Sequence, residues 1–428
     1  MNYQEALQWM DERQQFTIKL GLATTRTLLA QFGNPHKQLR IIHIAGTNGK
    51  GSVGATLLAI LSAAGYRTGF YSSPHLSDFR ERFRLNTTFI TQERCADLIT
   101  TLATGLPEGM QPTYFECATL LALLWFADQQ TDAVILETGM GGRLDATNAV
   151  TPLLSIITDI SLDHEQYLGS TITAIANEKA GIIKSEVPVI FSGRHRDALP
   201  VIMARCRQQN SPLYLYGQHF SGARSGEQTL TYQALTGRTH PRLPLPLQGD
   251  HQIVNTSLAL AALELLDRHL PVTPDQWHTG LQQVHWSGRL ERFSVVFSEK
   301  TVDILLDGAH NEAGVLALLR SVQQMHYQRL FLLWGNMSDK VLGPAYLELL
   351  DTAEMVVLTR PESPRSAEPL ALFAELPIAV QQKTTCISSV EQAMIHLLER
   401  TAPGDLLCIA GSLYLVGHVR QQLLGDPV

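Results

Sequence analysis

The chain is poor in cysteine, in charge and in long apolar runs. Five cysteines occur among 428 residues, at Cys95, Cys117, Cys206, Cys386 and Cys408. None pairs as C-x-x-C, so neither a disulfide frame nor a zinc site is expected, and the thiols read as reduced residues of a cytoplasmic protein. Charged side chains make up 17% of the sequence, and 33 basic against 40 acidic residues leave a net charge of −7. That balance draws in neither nucleic acid nor an anionic membrane, so no partner of either kind is expected. The longest apolar run, residues 118–127, is too short to cross a bilayer. The opening residues Met1-Asn2-Tyr3-Gln4-Glu5 do not read as a signal peptide. Neither an internal repeat nor a low-complexity segment stands out. The remaining picture is an ordinary globular composition, 45% hydrophobic, with chain enough for two or three domains and a large core.

Against this background, residues 41–52 are distinctive. Ile41, Ile42, His43 and Ile44 form an apolar, β-branched run that ends at Ala45. Gly46-Thr47-Asn48-Gly49-Lys50-Gly51-Ser52 follows, and then an apolar-periodic segment through Val53, Leu57, Leu58, Ile60 and Leu61. The order reads as buried strand, glycine-rich turn and helix, the architecture of a phosphate-binding loop. In that reading the backbone N–H groups of the turn and helix start face an anion. Lys50 reaches the terminal phosphates, and Ser52 offers a hydroxyl to a phosphate or to its magnesium. The spacing departs from G-x-x-x-x-G-K-[ST], with Ile44 where a glycine and Gly51 where a hydroxyl residue would stand. An ordinary strand-to-helix turn is the competing reading.

Further along, residues 3–32 suggest two short helices, with Leu20, Leu22, Leu28, Leu29 and Phe32 as core candidates. Residues 67–71 suggest a strand stopped by Pro74, which leaves Ser73 and His75 at its C-terminal end. Helices are predicted over 91–102 (capped by Thr91) and 115–126, and strands over 133–137, 153–158 and 188–191. A helix runs through Ile175, Glu178 and Lys179. Residues 213–248, rich in proline, predict a small antiparallel excursion, followed by helices at 251–268 and 274–284. A boundary is placed near Trp286-Ser287-Gly288. A second series then begins, with strands at 302–307, 330–334, 355–359 and 405–410 and helices at 312–325, 390–398 and 413–423. Strands alternating with helices predict α/β architecture: a phosphate-loop, doubly wound, mostly parallel sheet domain at 1–287, then a smaller Rossmann-like α/β domain at 288–428.

Polar groups gather where predicted strands of the first domain end, the edge at which open α/β sheets bind ligands. They are Lys50, Ser52, Ser73, Glu137, Asp163 and His164. A hydroxyl, a carboxylate and an imidazole beside a triphosphate suit magnesium, although a histidine ligand is unusual for that ion and His164, taken alone, reads more readily as a hydrogen-bonded structural histidine. Glu137 is the firmer candidate, because a carboxylate that ends an apolar strand is costly unless it meets a cation. Residues 139–148 form a glycine-rich loop, either a surface turn or a segment that closes over substrate. An aromatic in Thr113-Tyr114-Phe115-Glu116 either stacks on a flat heterocycle or packs in the core. Asp307, in Asp307-Gly308-Ala309-His310-Asn311, either caps the next helix or joins Arg289 in offering charge to a nucleotide.

Taken together, these motifs resemble the folylpolyglutamate synthase/dihydrofolate synthase family of the Mur ligase superfamily. The likeness covers most of the chain. It rests on 46–52, Tyr71-Ser72-Ser73-Pro74-His75-Leu76, Thr113–Glu116, 141–148, Leu162-Asp163-His164, Glu178-Lys179-Ala180-Gly181, 307–311 and Gly411-Ser412-Leu413-Tyr414. Gly51 favours the folate branch over the cell-wall ligases. The resemblance implies an ATP- and magnesium-dependent ligase that joins L-glutamate to a pterin or folate carboxylate (dihydropteroate, a reduced folate, or both) through an acyl phosphate. It implies Ser73, Glu137 and His164 as magnesium ligands and Lys179 as a carbamylated lysine. It implies Thr47, Asn48, Gly49, Lys50, Gly51, Ser52, Asn255, Arg289 and Asp307 as nucleotide contacts, and Thr113, Phe115, Leu144 and Asp145 as pterin contacts. Lys50, Lys179 and His164 would carry catalysis, in a cytoplasmic monomer. Three departures from the family pattern stand out: Glu312 where proline is common, Val341 where an acid is common, and Thr138 and Met140 where aliphatic residues flank the glycines. Two rival readings remain. A cell-wall ligase acting on a UDP-sugar peptide would need a domain before the loop, and about forty residues are too few for one. A non-catalytic ATP-binding scaffold is disfavoured by intact Lys50, Glu137, His164 and Lys179.

Overall fold

The computed structural model describes residues 1–13, 21–340 and 343–425, so Leu20 and Val341 lie outside the described residues. The chain divides into two compact units, one of 1–74, 79–246 and 252–285, the other of 75–78, 247–251 and 286–428.

The first unit is built on an eight-stranded sheet of β1 (Ile41–Ala45), β2 (Thr68–Tyr71), β3 (Phe83–Leu85), β4 (Thr88–Phe89), β5 (Ala133–Glu137), β6 (Leu154–Ile157), β7 (Val189–Phe191) and β8 (Leu213–Leu215). Their order across the sheet is β4-β3-β2-β5-β1-β6-β7-β8. β2, β5, β1, β6, β7 and β8 pair in parallel, and β3 and β4 add an antiparallel edge. Parallel strands covered on both faces need apolar residues at every position rather than at alternate ones. β1 and β5, at the centre, are buried throughout their lengths. Helices Lys50–Ala63 and Tyr114–Asp128 are likewise almost wholly buried and apolar all round. The N-terminal helices are Tyr3–Asp11 and Ala23–Gln31, which buries Leu28 and Leu29 and leaves Leu22 and Phe32 half-buried.

The segment 213–248 is not wholly antiparallel. β8 at its start joins the main sheet in parallel beside β7. The antiparallel part comprises β9 (Ser221–Gly226), β10 (Thr229–Gln233) and β11 (Thr239–Pro244), a separate three-stranded sheet. Three residues, Leu213-Tyr214-Leu215, carry too short a pattern to show which sheet they join.

The second unit holds a six-stranded sheet of β12 (Glu291–Phe297), β13 (Lys300–Leu306), β14 (Leu330–Trp334), β15 (Met355–Leu358), β16 (Thr384–Cys386) and β17 (Leu406–Ala410). The order is β12-β13-β17-β14-β15-β16, with β12 antiparallel and the rest parallel. The reading of 302–307 as a lone strand missed its hairpin partner β12. Every second residue of β12 is exposed, so the apolar run that marks the inner strands is absent there. Glu312, where proline was the common residue, has a structural task. Its carboxylate accepts from the Ala345 N–H at 2.9 Å, at the start of helix Pro344–Thr352, whose N-cap Gly343 has no side chain to do so.

Candidate active site

The loop after β1 is held from two sides. The Thr47 N–H donates to the Asp159 carbonyl at 2.7 Å, its hydroxyl exchanges hydrogen bonds with the Ser161 backbone, and Asn48 Nδ2 donates to Ser161 Oγ. Thr158 Oγ1 donates to the Asn48 carbonyl at 2.7 Å. A Cβ on Gly46 would collide with the Thr158 hydroxyl. Gly49 adopts φ 89° as the N-cap of helix Lys50–Ala63, and a Cβ there would press on Asn255 Oδ1. Glycine is therefore required at both positions by space, and at Gly49 also by backbone conformation. With glycine at the cap, no side chain caps this helix start. A 14-residue helix presenting first-turn N–H groups in this way is an anion site.

Lys50 Nζ donates to the Gly46 and Thr47 carbonyls at 3.1 and 3.2 Å and lies 3.9 Å from Glu137 Oε1. Glu137, at the end of β5, is 4% exposed, and the Lys50 ammonium is a cation in its neighbourhood. Ser52 is buried, and Gln252 Nε2 donates to its Oγ at 3.3 Å. Gln252 Oε1 in turn accepts from Asn255 Nδ2 at 2.9 Å. The chain Ser52–Gln252–Asn255 thus clamps the phosphate loop to helix His251–Leu265. Gln252 escaped the sequence reading. Its signal was present in the four buried polar residues Gln252, Asn255, Thr256 and Ser257 on a mostly apolar helix.

The neighbouring strand ends bring further groups to this edge. Tyr71 of β2 is paired with Leu136 of β5, so half-buried Ser73, two residues past β2, and buried Glu137, the last residue of β5, lie at the same end of adjacent strands. Ile44 of β1 is paired with Glu137, and Ala45 with Ile157 of β6. Asp163 and His164 follow β6. His164 occupies a left-handed position (φ 50°) before the short helix Glu165–Leu168, and its N–H donates to Asp163 Oδ1. Lys179 lies in the last turn of helix Ile172–Ala180, 2% exposed. Burial, and then the Lys50 charge, push its ammonium down to about 7, against the pull of Asp163, Asp159 and Asp145.

The loop 139–148 is neither a surface turn nor loosely held. Its backbone and side chains from Asp145 to Asn148 are buried. Asp145 Oδ2 accepts from the Met140 N–H, and Oδ1 from the Thr147 N–H and hydroxyl. Asn148 Nδ2 donates to the carbonyls of Arg143 and Gly181 at 3.0 Å, and the Arg143 N–H donates to the Glu178 carbonyl. Burial raises the Asp145 carboxyl, opposed by these hydrogen bonds. Thr113 caps helix Tyr114–Asp128 in a reciprocal box with Glu116. Phe115 is half-buried. Its ring lies over Gly139, where a Cβ would overlap it, and 6.1 Å from the Tyr71 ring. Leu144 is half-buried beside Asp145.

In the second unit, Arg289 and Asp307 come together. Asp307 Oδ2 accepts from the Leu290 N–H and Oδ1 from the Ala309 N–H. Burial raises its carboxyl, and the Arg289 guanidinium, which lies against Gly308, opposes that rise. Asp307 does not cap the following helix. Asn311 does, accepting from the Gly314 N–H.

Two family models match this chain. The Mur ligase middle domain covers residues 44–263, and the Mur ligase glutamate ligase domain covers 288–413. The fold is therefore that of a Mur-type ligase. The chain is 33% identical to the dihydrofolate synthase/folylpolyglutamate synthase of Bacillus subtilis over 98% of its own length and 99% of the relative's. It superposes on the Mycobacterium tuberculosis folylpolyglutamate synthase complexed with ADP and AMPPCP with a TM-score of 0.89, 29% identity and coverage of 100% and 99% of the two chains. Against Escherichia coli FolC in complex with DHPP and ADP the TM-score is 0.87, with 30% identity and coverage of 99% and 97%. The chain belongs to the folylpolyglutamate synthase/dihydrofolate synthase family and is a ligase of that class, rather than a cell-wall ligase or a scaffold.

Proposed function

We propose that this ligase uses ATP and magnesium to join L-glutamate to a pterin carboxylate, forming dihydrofolate from dihydropteroate and extending the glutamate tail of reduced folates, as a cytoplasmic monomer with 1–287 as its ATP-binding part and 288–428 as its second catalytic part. The observation that carries the reading is the uncapped helix start at which Lys50 lies 3.9 Å from buried Glu137, with buried Lys179 close enough to feel the Lys50 charge. Thr47, Asn48, Gly49, Lys50, Gly51 and Ser52 hold the phosphates, with Asn255 behind them, and Arg289 and Asp307 are the further nucleotide residues. Thr113, Phe115, Leu144 and Asp145 receive the pterin.

Ser73, Glu137 and His164 are the residues for magnesium. Among the described residues no trio of His, Cys, Asp or Glu is arranged to hold a metal alone. One carboxylate, one hydroxyl and one imidazole nevertheless fit an ion that draws its other ligands from phosphate oxygens and water. Bound there, magnesium supplies charge neutralisation on the transferring phosphoryl group. Lys50 adds its ammonium to the same task. The substrate carboxylate oxygen attacks the γ-phosphorus and ADP leaves, giving an acyl phosphate. The glutamate amine then attacks the carbonyl carbon, and inorganic phosphate departs with loss of the amine proton. Neither step needs a nucleophilic side chain. Lys179, at about 7, is half neutral at neutral pH, whereas an ordinary lysine is neutral in roughly one molecule per several thousand. That free amine can add to carbon dioxide, releasing one proton and leaving a carbamate, whose negative charge would suit a neighbouring cation.

The test is phosphate release from ATP and magnesium with L-glutamate, offering dihydropteroate or a reduced folate. Turnover with both acceptors is expected. Turnover with one restricts the enzyme to that step, and silence with both, in protein that binds ATP, rejects the reading.

A further inference from the structure

Within the otherwise apolar β1, His43 is fully buried among strands. Its Nε2 lies 2.9 Å from Thr147 Oγ1, and that hydroxyl is also hydrogen-bonded to Asp145 Oδ1. A threonine hydroxyl has one proton to donate. Asp145 already accepts from the Met140 N–H at Oδ2 and from the Thr147 N–H at Oδ1, so the Thr147 hydroxyl donates to Oδ1 and must accept from His43. This assigns the proton on His43 to Nε2 and leaves Nδ1 bare, and Nδ1 is the atom that has no hydrogen-bond partner. The imidazole is neutral. Burial, with Lys184 as the nearby charge, pushes it down to about 3. The network therefore has one direction, from His43 through Thr147 to Asp145.

We propose that His43 and Thr147 are positioning residues that aim Asp145 at the pterin, registering the substrate loop on the same strand that carries the phosphate loop. The inference rests on Asp145 being a substrate contact. β1 is the sheet's central parallel strand, paired with both β5 and β6, and Gly46 begins the phosphate loop three residues after His43. A hydrogen-bond chain from this strand to Asp145 fixes the pterin's anchor relative to the γ-phosphate that the substrate carboxylate must reach. In-line transfer depends on that separation. The Met140 N–H holds the other Asp145 oxygen, so with Thr147 in place the carboxylate plane has one orientation.

The experiment measures KM for dihydropteroate and for ATP separately in the full-length enzyme, with thermal unfolding recorded for each variant. Thr147→Val, which keeps the shape and drops the hydroxyl, is expected to raise KM for dihydropteroate about tenfold while KM for ATP stays within twofold. Thr147→Ser should restore it. His43→Leu should reproduce the Thr147→Val effect, and His43→Gln, which places an N–H near the original Nε2, should recover most of it. Asp145→Ala is the reference, and adding Thr147→Val to it should cost nothing more. If Asp145→Ala weakens dihydropteroate binding while Thr147→Val and His43→Leu do not, the positioning role is overturned and the substrate contact stands. If Asp145→Ala has no effect, both fall. A parallel rise of both KM values with a large loss of thermal stability marks the network as merely structural and overturns the proposal.

Discussion

Lys50 Nζ sits 3.9 Å from Glu137 Oε1, beyond hydrogen-bonding distance, while it donates to two carbonyls of its own loop. The ammonium is held back by the loop rather than spent on the carboxylate. The two opposite charges stand a few ångströms apart at the edge of one sheet. Lys50→Ala should remove a transition-state charge and lower ATP-dependent ligation by about 100- to 1000-fold. Circular dichroism should show a folded chain, and near-normal phosphate release in that variant would dismiss the loop assignment.

Lys179 makes stability depend on pH with a definite sign. Its folded-state value, about 7, lies below the usual lysine range, so between about pH 7 and 10.5 the unfolded chain binds the extra proton. Stability from this group therefore rises with pH through that window and is lowest below it. The cost below pH 7 is on the order of a few kcal/mol. Lys179→Met should flatten the slope and raise the unfolding temperature most at pH 6. Urea midpoints of ligand-free protein between pH 6 and 9 check this, and parallel slopes for wild type and variant would refute it.

Gln252→Leu should separate the clamp from the phosphates. The substitution strands Ser52 Oγ and Asn255 Nδ2 in a buried site, costing about 1–3 kcal/mol. Because Asn255 then loses the contact that orients it against Gly49, KM for ATP should rise severalfold while KM for the pterin is unchanged. An unaltered KM for ATP would confine Gln252 to folding.

Glu312→Ala removes the acceptor at the start of helix Pro344–Thr352 and should cost about 1 kcal/mol, with Glu312→Gln largely retaining it. Thermal melts of the two variants decide the point, and equal losses would exclude the cap.

The legible parts of the molecule were those in which local pattern and burial agree. β5 and β14 were read to the residue because central parallel strands are apolar throughout. The cap at Thr91 was legible because the helix-start pattern is local. β12 was missed for the opposite reason, since its exposed alternation lacks that signal. At the site, Lys50 and Glu137 could be named from their positions at strand ends. His43 and Thr147 could not, because their mutual contact joins residues 104 positions apart and nothing local marks a buried histidine as hydrogen-bonded to a distant loop.

The sequence by itself determined the strand–loop–helix of the phosphate site, the alternation that makes two α/β sheets, and the residue types that gather at their C-terminal edges. These follow from periodicity, glycine placement and the cost of burying charge, all of which act over a few residues. Only the tertiary structure decided that Glu137 would face Lys50, that a lysine on a later helix would be buried until its charge becomes costly, and that Asp145 would be held through Thr147 by a histidine of the central strand. Those outcomes depend on strand order and on desolvation by residues up to 200 positions apart, as between Ser52 and Gln252.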